Sequence, residues 1–588
     1  MKQIKPVQGI DAIFTAPPSK AYTLRCLFIA ALASGKSVLK NALAADDQLI
    51  AAKALSQFGA KAQFNGRDFI VEGSGGELSA PVDAVFTANS GVTTRFLLPL
   101  AGLARGNSTI DGDMRMRQRP IKELVDSLSE LGAEIKTPQG SSLPVQVFGK
   151  TLLGGKTRVS GSESSQFLSA LLVCAPYMEK GLEVKVEGLR SKPYIDITID
   201  CMNEFGVRVE NRKYGEFIVR NGRYGGREFE IEGDYSSASY FFAAAAILGG
   251  KVLVRNLRPD SVQGDRHFLA ILEKMGCSVQ RGKDFVQAER QGRLNSIDVD
   301  MGDFPDLVPT LAVVCAFAGG KSKITNISHL AAKESNRIES VAKNLQKCGV
   351  EVEYGADYLQ ILGGNPRGAR IITYNDHRIA MAFSVMGLAA AGMMIDDEKA
   401  VAKSYPDFFN ELSKSCRKKN IAFIGYRGSG KSTAGKLVCQ KLGMEFVDLD
   451  AEIMKMDGRP IPRIFAQSGE AFFRELEKKA VARFADQEGL CIACGGGVVE
   501  DVANIDSLKR NSIVVLLDAK PKTLYSRIKG DPNRPELTDK KGIEEVEHML
   551  AKRKKAYESA ADFVVSGEGS IGECAALVLE ALGGGRAK

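Results

Sequence analysis

No apolar stretch in the 588 residues reaches bilayer length: segments such as Ala238 to Gly250 are too short and too rich in alanine. The opening residues, MKQIKPVQGIDAIFTAPPSK, offer no long apolar run before charge resumes, so no signal peptide and a cytoplasmic location are expected. Proline is sparse beside glycine, 20 against 60, which points to tight turns and close backbone approaches rather than stiff linkers. Histidine is scarcer still: His267, His329, His377 and His548 have no metal-ligand spacing among them. Eleven cysteines, odd in number and scattered singly, argue against a disulfide framework and read as small buried hydrophobes in a reducing compartment. Cys491 and Cys494 form a CxxC, but in the strand-like run LCIAC residues three apart face opposite ways. Large excess charge is also missing. Seventy-nine basic against 71 acidic residues leave +8, suited to anionic metabolites and too thin to argue for nucleic acid. The remainder, 44% hydrophobic and 26% charged, is the balance of a soluble globular chain long enough for roughly three to five domains.

Residues 1 to about 410 repeat themselves. A small or polar residue opens an apolar helix at Ser19, Ser90, Ser165, Ser237, Leu307 and Arg378, at spacings of 70 to 75 residues. A second helix ends at Gly59, Gly132, Gly206, Gly276 and Gly349, 39 to 42 residues after its opener, and by position each glycine is a C-cap. Alternating sequence with a polar turn follows each glycine, as in VRVENRKYGEFIVR, the pattern of a hairpin. Six units of helix, strand, helix and hairpin are therefore expected, burying their faces against one another in a solenoid or in two closed groups of three.

Reactive side chains recur at equivalent places in these units. Lys20 and Arg25 flank the first opener, and Asn89 and Arg95 the second. Ser164, Ser165 and Gln166 surround the third, Asp306 precedes the fifth, and Asp376, His377 and Arg378 mark the sixth. Arg115, Lys333, Glu334, Arg337 and Lys403 lie elsewhere in the repeat. If the helix N-termini converge among these cations, the ligand is strongly anionic and carries phosphate and carboxylate. Asp306 and Glu334 are then the natural proton carriers.

Past the polar, basic stretch ELSKSCRKKN the grammar changes. A buried-strand pattern, IAFIG, runs into GYRGSGKST and then a helix, the context that GxxxxGK[ST] requires. Gly425, Gly428, Ser429 and Gly430 supply backbone N–H groups for a polyphosphate, Lys431 a charge, and Ser432, next to Thr433, a hydroxyl for Mg2+. Later strands are expected at Glu445 to Leu449, Leu490 to Cys494 and Ile513 to Leu517. FVDLD places Asp448 and Asp450 on one face at a strand end; Arg474, the run Gly495 to Gly497 and Arg553 offer a site for a small anionic, hydroxylated acceptor. Arg534 sits in a polar loop, GDPNRPE, fit to be a lid.

These motifs carry two resemblances. Residues 421–588 resemble shikimate kinase, which implies ATP and Mg2+ as cosubstrate and cofactor and transfer to the 3-hydroxyl of shikimate. The resemblance implies that Asp448 and Ser432 serve Mg2+, that the loop from Gly428 to Thr433 and Arg534 hold ATP, and that Asp450, Arg474, Gly496 and Arg553 meet shikimate. Residues 1–412 resemble 5-enolpyruvylshikimate-3-phosphate (EPSP) synthase, implying an inside-out α/β barrel of six units in two lobes, 1–12 with 233–412 and 13–232, and no cofactor. There Lys20, Asn89, Gly91, Arg95, Arg115, Gln166, Arg337, Arg378 and Lys403 are implied to hold phosphoenolpyruvate. Lys20, Arg25, Ser164, Ser165, Gln166, Ser191, Tyr194, Asp306 and Lys333 are implied to hold shikimate 3-phosphate, with Asp306, Glu334 and Lys20 catalytic.

The expected whole is an α/β protein, the six-unit fold joined through 413–420 to a P-loop kinase domain with a central parallel sheet. Its partners are expected to be small molecules, not nucleic acid or membrane, and its state a monomer or weak homo-oligomer. A related transferase acting on a UDP-sugar shares the repeat but not the kinase neighbour or YNDHR; one degenerate site also stays open.

Overall fold

The computed structural model describes the chain except residues 8, 139–141, 151, 416–419, 486, 488, 530–539 and 584–588. Arg534 of the lid reading lies outside the described residues. Two compact units emerge, Met1–Cys416 and Arg417–Lys588.

The first unit is dictated by six helices that lack a polar face. Lys20–Leu32 buries every residue from Tyr22 onward, and a helix apolar all round must be enclosed by other elements. Lys20–Leu32, Gly91–Leu103 and Gln166–Cys174 pack together in one core. Tyr235–Leu248, Val308–Cys315 and His377–Gly387 form a second core. Sheets wrap each trio: among the described residues the first unit has five sheets of four strands and one of three. The third repeat shows the pattern. Gly155–Ser160 pairs parallel with Leu182–Glu187 across the central helix, and the hairpin Val209–Arg212 and Glu216–Val219 extends the sheet antiparallel. The strand before the helix was not foreseen in the sequence, although KTRVS alternates.

Gly59, Gly132, Gly206, Gly276 and Gly349 all have φ between 78° and 103°, the left-handed conformation of a residue just past a helix end. The sixth unit departs from the expected pattern. After Met394–Ile395 the chain turns away, and its sheet is completed by Lys2–Gln3 instead of a hairpin. The serine at 237 is not a cap: the helix starts at Tyr235, and Asp234 accepts from Ser237 N.

Two strands are exchanged between the cores. Ile10–Thr15, which precedes the first central helix, pairs with Gly250–Arg255, which follows the fourth. Reciprocally, Glu228–Glu230 precedes the fourth helix and pairs with Ser34–Lys40 after the first. The chain passes between the cores along two adjacent segments, tied by Ser19 N to Glu232 O and Asp234 N to Pro17 O.

The second unit has a five-stranded parallel sheet in the order Glu445–Asp448, Leu490–Ala493, Asn420–Ile424, Ser512–Asp518, Phe563–Ser566. The stretch read as a bridge is partly structured: Phe408–Ser415 is helical, and Asn420 already belongs to the first strand, its amide bonded to Leu490 N and Gln487 O. Cys491 and Cys494 enter different clusters, on opposite faces of this sheet.

Close approach at hairpin ends gives a test of packing. A Cβ on Gly149 would overlap the Ala104 carbonyl and stand 2.6 Å from Gly106 O, neither of which can yield without moving backbone. Gly149→Ala should destabilise the first unit by about 1–3 kcal/mol. Gly225→Ala, with nothing within 4 Å, should be near neutral. Denaturant midpoints of the two variants make the comparison.

Candidate active sites

The N-terminal ends of all six central helices line one cleft in the first unit, through Lys20, Gly91, Gln166, Ser236, Asp306 and His377 or their neighbours. The positive ends of the helix dipoles therefore point at one volume. Arg337 is its electrostatic hub. Its side chain is 1% exposed; Nη1 donates to Asp306 Oδ1, Nη2 to Glu334 Oε2 and Nε to Asp376 Oδ2, each at 2.8 Å. Asp376 also caps the sixth central helix through Arg378 N. Arg378 Nη2 takes the other oxygen of Asp306 at 2.9 Å.

Burial alone would raise the pKa of Asp306, but Arg378, Arg337 and Lys333 outweigh it and hold the carboxyl well below its ordinary range. The same contest ends the same way at Glu334, where Arg337, Lys403 and Arg119 prevail over burial. The His377 ring is held neutral, by burial first and then by Lys20 and Arg378. Lys333 is pushed down to about 8 by burial, with Arg337 and Arg119 adding to it and Asp306 and Glu334 opposing.

Most of the expected residues reach the cleft. Lys20, Arg25, Gly91 and Gln166 line it, as do Ser164, Ser165, Ser191 and Tyr194, and Asp306, Lys333, Glu334, Arg337 and Arg378 complete the wall. Lys20 Nζ pairs with Asp47 at 2.8 Å, and Arg25 Nε donates to Thr198 Oγ1 at 2.7 Å. Four expected residues stand elsewhere. Arg95 is buried behind the wall, donating to Gln166 Oε1 at 2.5 Å and Pro120 O at 3.0 Å. Lys403 and Asn89 line an adjoining crevice, where Lys403 Nζ donates to Asn89 O at 2.6 Å and lies 3.6 Å from Glu334.

Arg115 does not line the cleft; it donates to the carbonyls of Lys333 and Glu334, tying the two cores together. The cation that does face the cleft is Arg119, passed over in the sequence. Met114–Gln118 is helical and Arg119 follows in extended conformation, which turns its side chain inward beside Asn89 Oδ1 and 3.8 Å from Glu334. A Cβ on Gly91 would meet its guanidinium at 2.6 Å, so that glycine is required by the arginine. Glu334 and Arg337 do pair, but across the loop before Arg337–Lys347 and not along a helical turn.

In the second unit Lys431–Leu442 starts where the loop from Gly425 ends, with Gly428 and Gly430 at φ 84° and 96°. Ser429 N closes the turn on Tyr426 O. Lys431 Nζ lies across the loop on Gly425 O and Tyr426 O, at 2.8 and 2.9 Å. Thr433 is exposed in the first helical turn. Ser432 Oγ donates to Asp448 Oδ2 at 2.6 Å, a hydroxyl and carboxylate side by side, which fits a hard cation that takes its remaining ligands from water and phosphate. Asp450 is not on the strand as FVDLD suggested. Asp448 ends the strand by capping Leu449–Asp457, and Asp450 lies in that helix's first turn.

Gly495 to Gly497 form the floor beside it. A Cβ on Gly495 would lie 3.0 Å from Asp450 Oδ1, one on Gly496 3.8 Å from Arg553 Nη1, and one on Gly497 would overlap Arg474. These residues therefore surround one small volume next to the phosphate loop. Burial raises the Glu477 carboxyl to about 7, against the pull of Arg474.

Comparison with known proteins places both geometries. The profile of EPSP synthase (3-phosphoshikimate 1-carboxyvinyltransferase) matches residues 3–412. The chain belongs to the EPSP synthase family. Residues 427–583 match shikimate kinase, so a shikimate-kinase domain follows in the same chain and the protein carries two catalytic domains of the shikimate pathway. The 3-phosphoshikimate 1-carboxyvinyltransferase of Syntrophobacter fumaroxidans is 44% identical over 420 residues, 70% of this chain and 99% of that one. The enzyme of Methanosphaerula palustris is 44% identical over 408 residues, 69% of this chain and 96% of its own. Among solved structures, EPSP synthase from Acinetobacter baumannii superposes with TM-score 0.61 at 25% identity, over 70% of this chain and 97% of that one. The enolpyruvyl transferase NikO from Streptomyces tendae shares the fold at TM-score 0.58 and 19% identity, over 70% and 96%. Among the described residues no helix is long and apolar enough to cross a membrane.

The depressed pKa of Lys333 is directly measurable. With lysines labelled for NMR, one resonance should titrate with a midpoint near 8 and vanish in Lys333→Arg. Titration of every lysine at an ordinary midpoint would contradict the electrostatic description of the cleft.

Proposed function

We propose that the first unit transfers the enolpyruvyl group of phosphoenolpyruvate to the 5-hydroxyl of shikimate 3-phosphate, and that the second makes that acceptor by phosphorylating shikimate with ATP. One observation carries the transferase reading: two ionised carboxylates, Asp306 and Glu334, are set among cations where six helix N-termini meet. A ligand of high negative charge is stabilised there, and the two carboxylates are placed to move protons beside it. Lys20, Gly91, Gln166, Arg337 and Arg378 hold phosphoenolpyruvate, with Arg119 beside them and Lys403 at the margin. Arg25, Ser164, Ser165, Ser191, Tyr194 and Lys333 hold shikimate 3-phosphate. Arg95 and Arg115 act from behind, the first by fixing Gln166 and the second by holding the loop that carries Lys333 and Glu334.

The 5-hydroxyl oxygen bonds to C2 of phosphoenolpyruvate and gives its proton to Asp306, while C3 takes a proton from Glu334. The C2–O bond to phosphate then breaks and C3 returns the proton, leaving the enol ether. Both carboxylates are ionised while Arg337 neutralises them. When the anionic groups of the ligands draw Arg337, Arg378 and Lys403 to themselves, the carboxylates lose countercharge and their proton affinity rises, so that Glu334 takes up from solvent the proton it gives to C3, and Asp306 passes the hydroxyl proton to the departing phosphate. Lys20 steadies the charge that develops on the transferring unit.

In the second unit the backbone from Gly428 to Thr433 cradles the nucleotide, Asp450 orients the acceptor hydroxyl, and Arg474, Gly496 and Arg553 hold shikimate. Mg2+ fits beside Ser432 and Asp448 and supplies charge neutralisation at the phosphates. Lys431 turns from its own loop carbonyls to the phosphates.

Glu334→Gln is expected to bind both transferase substrates near normally and to lose about 10²- to 10⁴-fold in turnover. Asp306→Ala should lose turnover and also shikimate 3-phosphate affinity, since it removes the carboxylate that accepts from the 5-hydroxyl. Calorimetry beside single-turnover assays separates the two; near-normal turnover in Glu334→Gln would remove it from proton transfer. Lys431→Ala should abolish shikimate phosphorylation and leave conversion of supplied shikimate 3-phosphate intact. Equal loss of both activities in the folded variant would contradict independent sites.

A further inference from the structure

Glu500 closes the short helical turn Val498–Glu500 that follows the three glycines, and none of the roles above falls to it. Its two oxygens nevertheless bridge two arginines on different helices. Oε2 accepts from Arg474 Nη2 at 2.6 Å, on Ile461–Ala485, and Oε1 accepts from Arg553 Nε at 3.0 Å, on Ile543–Ala560. Lys552 Nζ stands 3.6 Å from the same Oε1. Burial works against the charged form of Glu500, but Arg553, Arg474 and Lys552 overcome it and keep the carboxylate ionised.

Two guanidinium groups brought to one small floor repel each other, and the 5% exposed side chain of Arg553 has little water to offset that repulsion. A carboxylate shared between them removes the conflict and fixes their separation. The way each arginine is held matters for a ligand. Arg553 gives Glu500 its Nε, and its Nη1 is the atom 3.8 Å from a Cβ built on Gly496. Its fork is thus aimed at the floor. Arg474 is steadied further by Glu470 and Glu477, and among the described residues Glu500 is the carboxylate that hydrogen-bonds both arginines.

We propose that Glu500 is a positioning residue for the kinase acceptor, a brace that sets Arg474 and Arg553 as a preformed pair for the acceptor's carboxylate. The inference rests on the reading that these two arginines hold shikimate. The brace contributes by removing the cost of ordering two long side chains when the ligand binds. It does not touch the reacting hydroxyl, so its loss weakens acceptor binding more than chemistry.

The full chain carrying Glu500→Gln is to be compared with wild type and with Glu500→Asp, which keeps the charge but is one methylene shorter. Expected for Glu500→Gln is a rise of about tenfold in KM for shikimate, with a much smaller change in kcat and none in KM for ATP. Glu500→Asp should fall between. The same variant should leave the KM of shikimate's neutral carboxamide unchanged, because that analogue presents no carboxylate to the pair. An unchanged or lowered KM for shikimate, or equal rises for shikimate, its carboxamide and ATP, would overturn the brace. Arg474→Lys and Arg553→Lys separate the two levels: if neither raises the shikimate KM, the placement of the acceptor fails and takes the proposal with it. If both raise it and Glu500→Gln does not, only the proposal fails.

Discussion

Arg337, buried among Asp306, Glu334 and Asp376, is the contact on which the transferase cleft depends. An unpaired guanidinium at that depth would cost several kcal/mol, and so would any of the carboxylates left without it. Asp376 anchors the cluster to the start of the sixth central helix, Asp306 to the turn before the fifth, and Glu334 to the loop before Arg337 itself. The arrangement of the elements and the charge state of the site are therefore one constraint. Counting the lining groups, six cations (Lys20, Arg25, Arg119, Lys333, Arg337, Arg378) face four carboxylates (Asp47, Asp234, Asp306, Glu334), an excess of two before the helix dipoles add to it. A cleft so charged is incomplete without an anion, which is what a binding site for phosphorylated acids requires.

The second unit solves a similar problem with different parts. Its glycine loop relies on backbone: Gly428 and Gly430 adopt positive φ, a conformation that lets successive N–H groups form an anion-binding concavity. Its acceptor region relies on arginines held by carboxylates, Arg474 by Glu470, Glu477 and Glu500. In both units the chain supplies internal anions at the cations proposed to meet ligands. That keeps the side chains ordered and the empty site stable, at the cost of some intrinsic affinity.

Much of this was legible in the sequence, and the limits have physical causes. The repeat showed because two local signals kept step, an apolar helix that must be buried and a glycine that must be left-handed. The phosphate loop showed because a strand, a glycine pattern and a helix are contiguous. The pairing of Ile10–Thr15 and Glu228–Glu230 did not show in the alternation itself, since the partners lie far apart in sequence and either pairing satisfies the same pattern; the lobes 1–12 with 233–412 and 13–232 were expected from the family resemblance alone. Asp450 was placed on a strand because FVDLD alternates whether or not Asp448 caps a helix. Three arginines crowd GDMRMRQRP, and which one points inward depends on where a five-residue helix stops. The signal for Arg119 was there in the proline that follows it, which disfavours helix at residue 119.

The pairing around Arg337 also bears on how the proton chemistry is timed. Asp306 is tied by two guanidinium groups and Glu334 is surrounded by Arg337, Arg119 and Lys403. A carboxylate so neutralised is a poor base, and its conjugate acid is scarcely populated at neutral pH. Neither proton carrier is competent while the cations are theirs. Under the proposed assignment Arg337, Arg378, Arg119 and Lys403 turn to the phosphate and carboxylate of phosphoenolpyruvate, and competence follows from occupancy. Ligand charge, by drawing the cations away, raises the proton affinity of both carboxylates in the closed, poorly solvated site. Substrate binding and acid–base function are then linked through the same few guanidinium groups. A cleft built this way couples proton transfer to the arrival of phosphoenolpyruvate, so that the carboxylates gain proton affinity only where there is an enol phosphate to protonate.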